Sequence, residues 1–150
     1  MSRFYPEFFP AFEYEPTTDN FAIQRVSDGV GEGVVALVDF EPGSIVFRFT
    51  GIFSADITQF TLRVTDELHL HDPIFMGKIL HSCDANCDVN MQTRTFTAKR
   101  HIKAGEFVTM DYAQTEAHLY RNFECCCGAS NCRGFVTGYM DQPELVQQAS

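Results

Sequence analysis

The residues with the clearest chemistry lie between Phe123 and Gly134, in the run FECCCGASNCRG. Four of the six cysteines fall there, at 125, 126, 127 and 132. Cys125 and Cys127 are one residue apart, so a single tight turn can aim both thiolates at one ion, and Cys132 returns after a short loop as a third ligand. Cys126 is expected to stay out of the site, because adjacent residues do not readily face the same ion. Tetrahedral zinc needs a fourth donor. Cys83 and Cys87, in LHSCDANC, are the two candidates, and either would staple the end of the chain onto its middle. Disulfides or plain buried thiols are the competing readings. The opening MSRFYPEFFP has no apolar signal-peptide run, which predicts an intracellular, non-secreted chain whose clustered cysteines bind metal.

Three further constellations could do chemistry. Gly31-Glu32-Gly33 followed by Ala36 superficially fits a dinucleotide fingerprint. That fingerprint opens a helix, whereas VVALV and a Pro42-Gly43 turn follow here; what survives is either a backbone that a ligand can approach closely or a plain tight turn. His81-Ser82-Cys83 could pair a thiol nucleophile with a base, although the same cysteine is wanted by the metal. Asp111-Tyr112 ends a strand-like EFVTMDY and, taken alone, reads as half-buried core. A zinc deaminase or hydrolase needs an open metal position and its own ligand motif, and neither is present.

The elements that must position these groups are short. At 150 residues, 45% apolar and 21% charged, the chain reads as one globular domain. No run approaches the roughly eighteen apolar residues of a membrane span. The net charge of −9 lacks the basic footprint of a nucleic-acid binder; it suits a basic protein partner, and it is also how many chains simply stay in solution. Residues 1–20 carry scattered aromatics without period and predict an irregular arm. From Phe21 onward, FAIQRV, VVALV, SIVFRF, FTLRV, DVNMQ, RTFTAKR and EFVTMDY predict strands separated by turn residues. Pro73 to Lys78 predicts a turn or one helical turn, and Gln114 to Asn122 a short helix. Many short strands without regular helix crossovers predict a mainly β fold of small sheets. Residues from about Met140 are polar.

Taken together and in order, these pieces resemble a SET-domain protein lysine methyltransferase with a post-SET zinc segment. GEGVVALVDFEPGSIVFRFTG at 31–51 is similar to the opening of that family, LHSCDANC to its NHSCxPN segment, HIKAGEFVTMDY to its GEELTxDY segment, and FECCCGASNCRG to its FxCxCGxxxCRG tail. The resemblance implies a β-clip of small sheets with a knot-like C-terminal threading of 80–87 beneath the segment ending at Tyr112. It divides the chain into an arm (1–20), a SET domain (21–113), a post-SET segment (114–138) and a polar tail (139–150), with no pre-SET zinc cluster.

It also implies a mechanism. S-adenosylmethionine, released as S-adenosylhomocysteine, would be contacted by Gly31, Glu32, Gly33, Leu80 and His81. One structural zinc would be held by Cys83, Cys125, Cys127 and Cys132. Tyr112 would be the catalytic hydroxyl, and Phe123 or Phe135 would line a channel for the lysine of a basic protein or peptide such as a histone tail. No nucleic acid or membrane partner is implied. Leu80 stands where the family has asparagine and Ala85 where it has proline, Met110 sits two residues before the tyrosine, and Phe49 replaces a frequent tyrosine. The Leu80 exchange motivates the alternative, a catalytically silent zinc-stapled fold that binds a protein or peptide.

Overall fold

The computed structural model describes residues 2–26 and 31–141, and among them the fold is mainly β. Strands β1 (Phe21–Val26) and β2 (Gly31–Ala36) pair antiparallel. β3 (Ile45–Arg48) joins β8 (Cys87–Asn90) and β9 (Thr95–Ala98) in a sheet of order β3-β9-β8. β4 (Ile52–Ser54), β5 (Thr61–Thr65) and β6 (Leu68–His71) form a second, of order β4-β6-β5. β7 (Leu80–His81) lies parallel to β10 (Thr109–Met110), and β11 (Phe123–Glu124) pairs antiparallel with β12 (Phe135–Val136). Among the described residues no helix is long and apolar enough to cross a membrane.

Aromatic side chains fill the space between these sheets. Phe21, Phe47, Phe49, Phe75 and Phe96 are fully buried, with ring centroids 4.5 Å apart for Phe47 and Phe96 and 4.8 Å for Phe47 and Phe75. Rings of this size bury much apolar area each and prefer offset or edge-on contacts, so a few of them hold small sheets that could not stand alone. The arm over 2–20 contains turns and one isolated bridge, Arg3 to Thr17. It is anchored by Tyr5, whose hydroxyl donates to buried Asp72 at 2.6 Å. The same carboxylate accepts the N–H groups of Ile74, Phe75 and Met76 at 2.9, 3.0 and 2.9 Å, which sets up the 3-10 turn Met76–Lys78 expected from that stretch.

Three expectations change. The helix expected over 114–122 is instead the single turn α1 (Tyr112–Thr115), which starts two residues earlier and stops at Glu116. It stops because the next carbonyls are taken: Glu116 O accepts from Tyr139 N–H at 2.9 Å and Ala117 O from Met140 N–H at 3.0 Å. Helix continuation would need those carbonyls for its own ladder. EFVTMDY is a strand only at Thr109 and Met110, with a bridge from Phe107 to Val35; Asp111 caps α1, so Tyr112 opens a helix rather than closing a strand. VVALV ends at Ala36, and β4, β6, β7, β11 and β12 add to the strands expected. Residues 27–30, within the turn expected between FAIQRV and VVALV, and residues 142–150 of the polar tail lie outside the described residues.

Candidate active site and metal centre

The sulfurs of Cys83, Cys125, Cys127 and Cys132 all lie within 4.8 Å of one another, and those of Cys83 and Cys125 are 3.9 Å apart. A zinc–sulfur bond of about 2.3 Å puts the sulfurs of a tetrahedral site about 3.8 Å apart, so the spacing fits one ion and is far too long for disulfides. The thiols themselves argue for a cation. Burial pushes Cys125 up to about 12. Burial opposes ionisation of Cys127 too, but hydrogen bonds from the backbone at Cys83 and Ala129 and from neighbouring thiols outweigh it and bring the group down to about 6. Four thiols this close together can all ionise only with a metal charge among them. Cys126 is exposed and outside the cluster. Cys87 points into the core on β8, where burial pushes it up to about 12, so the upstream partner of the cluster is Cys83.

Local chain geometry delivers these sulfurs. Gly128, at φ +79°, turns the backbone just after Cys127, a conformation that costs glycine nothing. The N–H of Cys125 donates to Gly134 O at 2.8 Å and closes the loop, while Asn131 Nδ2 donates to Cys83 O at 3.1 Å and joins it to the middle of the chain.

A cavity of about 530 Å³ is lined by Arg25, Gly31, Glu32, Gln59, Phe60, Gly77, Lys78, Ile79, Leu80 and Tyr112. That volume is in the range of small-molecule sites. Its charges are of both signs, with Lys78 Nζ 3.4 Å from Glu32 Oε1 and Arg25 on the same wall. Cations suited to a carboxylate and an anion suited to an ammonium are the pair that an amino-acid moiety such as that of S-adenosylmethionine requires, so the donor set fits that group.

Of the residues singled out from sequence, Gly31, Glu32, Leu80 and Tyr112 are on the cavity wall. Gly33 and His81 are not among its lining residues. A Cβ on Gly33 would sit 2.8 Å from Leu80 Cδ1 and 2.9 Å from the Phe107 ring, so its missing side chain makes room for those two residues. The leucine at position 80 thus packs onto β2 with its side chain.

Tyr112 donates its hydroxyl to Ile79 O at 2.6 Å. Burial, and then the charge of Glu116, hold this phenol above the usual tyrosine range, so it stays protonated. Its backbone N–H donates to His81 Nδ1 at 3.1 Å. The His81 side chain is 3% exposed; burial pushes its imidazole down to about 4 against the pull of Asp111, with Arg133 adding to the fall. Asp111 Oδ1 caps α1 at Ala113 N–H, 3.1 Å away, and the carboxylate takes a two-pronged ion pair from Arg133, with Arg133 Nη1 at 2.8 Å from Oδ1 and Nη2 on Oδ2. The Phe123 ring stands 5.6 Å from His81 and 6.0 Å from Tyr112, whereas Phe135 is 53% exposed.

Several residues escape sequence reasoning. Arg25, Gln59, Phe60 and Lys78 carry no local signal for a cavity wall. Gly77 does its work by absence, since a Cβ there would lie 2.2 Å from Asp72 O. Arg133 and Asn86 lie inside motifs whose sequence signal comes from the cysteines and, around Asn86, from Leu80 and His81.

Comparison with known proteins agrees with this geometry. The SET domain family model matches residues 31–113. Histone-lysine N-methyltransferase SUV39H1-A of Danio rerio is 25% identical over 168 residues, covering 78% of this chain and 41% of that protein. Methyltransferase flvH of Aspergillus flavus is 32% identical over 68 residues, covering 44% of this chain and 38% of that protein. The chain therefore spans less than half the length of either relative. KRYPTONITE, solved in complex with mCHH DNA, an H3(1-15) peptide and SAH, superposes with a TM-score of 0.63 at 22% identity over 77% of this chain and 29% of that one, which shows a shared fold. With more than half of its residues inside the family match, and with small sheets and a C-terminal cysteine cluster arranged as the resemblance implies, this chain belongs to the SET domain family.

Proposed function

We propose that this chain is an S-adenosylmethionine-dependent protein lysine N-methyltransferase carrying one structural zinc ion. The observation that carries the reading is the position of Tyr112. Tyr112, whose protonated hydroxyl is held on Ile79 O, lines the same mixed-charge cavity as Gly31, Glu32 and Leu80. When bound there, S-adenosylmethionine supplies the methyl group and leaves as S-adenosylhomocysteine, the electron pair of the broken C–S bond staying on sulfur.

The residues of the chain then have four tasks. Gly31, Glu32 and Leu80 form one wall of the cofactor site, with Lys78 and Arg25 available for a carboxylate and Glu32 for an ammonium. His81 and Gly33 support that wall without lining it. The buried surroundings of Tyr112 keep the substrate amine neutral, because a desolvated lysine loses its proton well below its unperturbed pKa of about 10.4. The Tyr112 hydroxyl aligns that amine. It is not a base, since its own proton is held against ionisation. Rate then comes mainly from holding the reacting atoms in line. Cys83, Cys125, Cys127 and Cys132 hold the zinc that keeps 114–138 against the domain of 21–113, placing Phe123 beside the tyrosine.

A basic protein segment such as a histone tail is the substrate class favoured by the net charge of −9 and by the relatives named as histone-lysine methyltransferases. Such substrates and the cofactor are met inside the cell. The KRYPTONITE complex holds DNA, but the acidic balance of this chain weighs against a nucleic-acid partner here. A second reading rests on Leu80: with an aliphatic group where the family has an amide, the fold would bind a protein or peptide without transferring methyl groups.

Native mass spectrometry with and without S-adenosylmethionine, followed by labelled-methyl transfer to basic peptides, separates the two. The expected result is one zinc, a cofactor adduct and transfer to lysine. Zinc without cofactor binding even at high concentration would overturn the enzyme and leave the binding module.

A further inference from the structure

Two N–H groups converge on the sulfur of Cys83: His81 Nε2 at 3.4 Å and the backbone N–H of Arg133, also at 3.4 Å. The ring tautomer follows from the other nitrogen. Nδ1 faces the backbone N–H of Tyr112, a group that can only donate, so Nδ1 accepts and the ring proton sits on Nε2, aimed at Cys83. The far ends of the same two residues hold consecutive positions: His81 holds the Tyr112 amide, and the Arg133 guanidinium holds the Asp111 carboxylate that caps α1. One sulfur is therefore the common footing of two struts, and both end on the dipeptide that places the phenol.

We propose that His81 and Arg133 are positioning residues that make the placement of Tyr112 depend on metal occupancy of the cysteine cluster, through the sulfur of Cys83. With a cation among the four sulfurs, Cys83 Sγ is fixed under both donors. Without one, nothing gathers the sulfurs, and both struts lose their common footing. Partners that orient metal ligands from behind behave in this way, and here the same partners also hold the site. The consequence for turnover rests on the lysine methyltransferase reading; the mechanical link does not.

The test uses the whole chain loaded with cobalt(II) or zinc, and two substitutions that cut one strut at opposite ends. His81→Asn keeps an acceptor near the Tyr112 amide but does not reach Cys83. His81→Gln places an amide N–H toward Cys83 and leaves the Tyr112 N–H unpaired. In the cobalt protein, His81→Asn is expected to move the thiolate-to-metal charge-transfer band to lower energy, because the sulfur has lost a donor, while His81→Gln leaves it in place. Amide exchange at Tyr112 is expected to quicken about tenfold when the unsubstituted protein is chelated, and by a similar factor in metal-loaded His81→Gln. Arg133→Gln, which keeps its backbone N–H on Cys83, should quicken exchange at the Ala113 amide without moving the band.

A band unmoved by His81→Asn, or Tyr112 exchange indifferent to chelation, overturns the proposal; the second measurement needs no variant to fold. A protein that shows both signatures yet never transfers methyl groups refutes the enzyme reading alone. One that transfers methyl groups with Tyr112 exchange blind to metal refutes the strut alone.

Discussion

Asn86 and Thr109 exchange two hydrogen bonds across 23 positions of sequence: the Asn86 N–H donates to Thr109 Oγ1 at 3.0 Å, and the Thr109 N–H donates to Asn86 Oδ1 at 2.9 Å. Asn86 Nδ2 also donates to Phe107 O at 2.8 Å. One buried amide thus binds the 80–87 segment to the segment that delivers Asp111 and Tyr112. Asn86→Ala would strand a carbonyl and an N–H away from water, at about 1–3 kcal/mol for each group left unpaired. A drop in the urea midpoint with an unchanged denaturant slope is the expected result, with the cysteine cluster still able to load metal.

Tyr112→Phe removes one hydroxyl that donates to Ile79 O and leaves the aromatic packing in place. The variant is expected to fold with a loss of about 1 kcal/mol and to bind S-adenosylmethionine as before. Its methyl transfer should slow by about a hundredfold or more, the usual scale for losing one preorganised hydrogen-bonding group in a site. Single-turnover rates with a basic peptide check this, and unchanged rates would remove Tyr112 from the mechanism.

The cysteines should divide into two groups. Cys83→Ser, Cys125→Ser, Cys127→Ser and Cys132→Ser each remove one sulfur from the gathered set and are expected to lower zinc content. Cys126→Ser, at an exposed position outside the set, should keep one zinc per chain. Native mass spectrometry counts the metal directly. Chelation of the unsubstituted protein should depress transfer as well, since a zinc ion among these sulfurs would hold Phe123, 6.0 Å from Tyr112, and the following segment in place.

Glu116 predicts a pH dependence. Burial raises its carboxyl from 4.5 to about 7, opposed by hydrogen bonds from the Arg63 backbone N–H and Thr115 and by the Arg63 charge. A folded pKa above the unfolded one means the group contributes most below the unfolded value, and that contribution is lost as pH rises through the folded one. Stability should therefore fall between about pH 4.5 and 7 by on the order of 3 kcal/mol and level off above. Glu116→Gln lacks this titration. The difference in urea midpoint between the two proteins, measured at pH 5.5 and pH 8, should shift in favour of the glutamine variant at the higher pH. Taking the difference cancels the pH dependence of the metal cluster.

What the sequence by itself determined is local. A thiol pair one residue apart, a third after a short loop and glycine at the turn specify a metal-binding tail, because ligands on one tight loop need no distant information. Alternating β-branched and aromatic runs likewise specify short strands, since side-chain period is a property of neighbours in the chain. Tertiary structure decided everything that depends on the path between elements. Cys83 and Cys87 are equivalent by spacing, and only the placement of β8 sends Cys87 into the core and leaves Cys83 with the cluster. The helix expected over 114–122 was cut to one turn because Tyr139 and Met140, more than twenty residues away, claim the carbonyls it would have used. The sequence offers His81 as a cofactor contact or a base, and only the tertiary structure shows its ring held between Tyr112 and Cys83. Such partnerships are set by where the chain returns in space, and no local pattern records that.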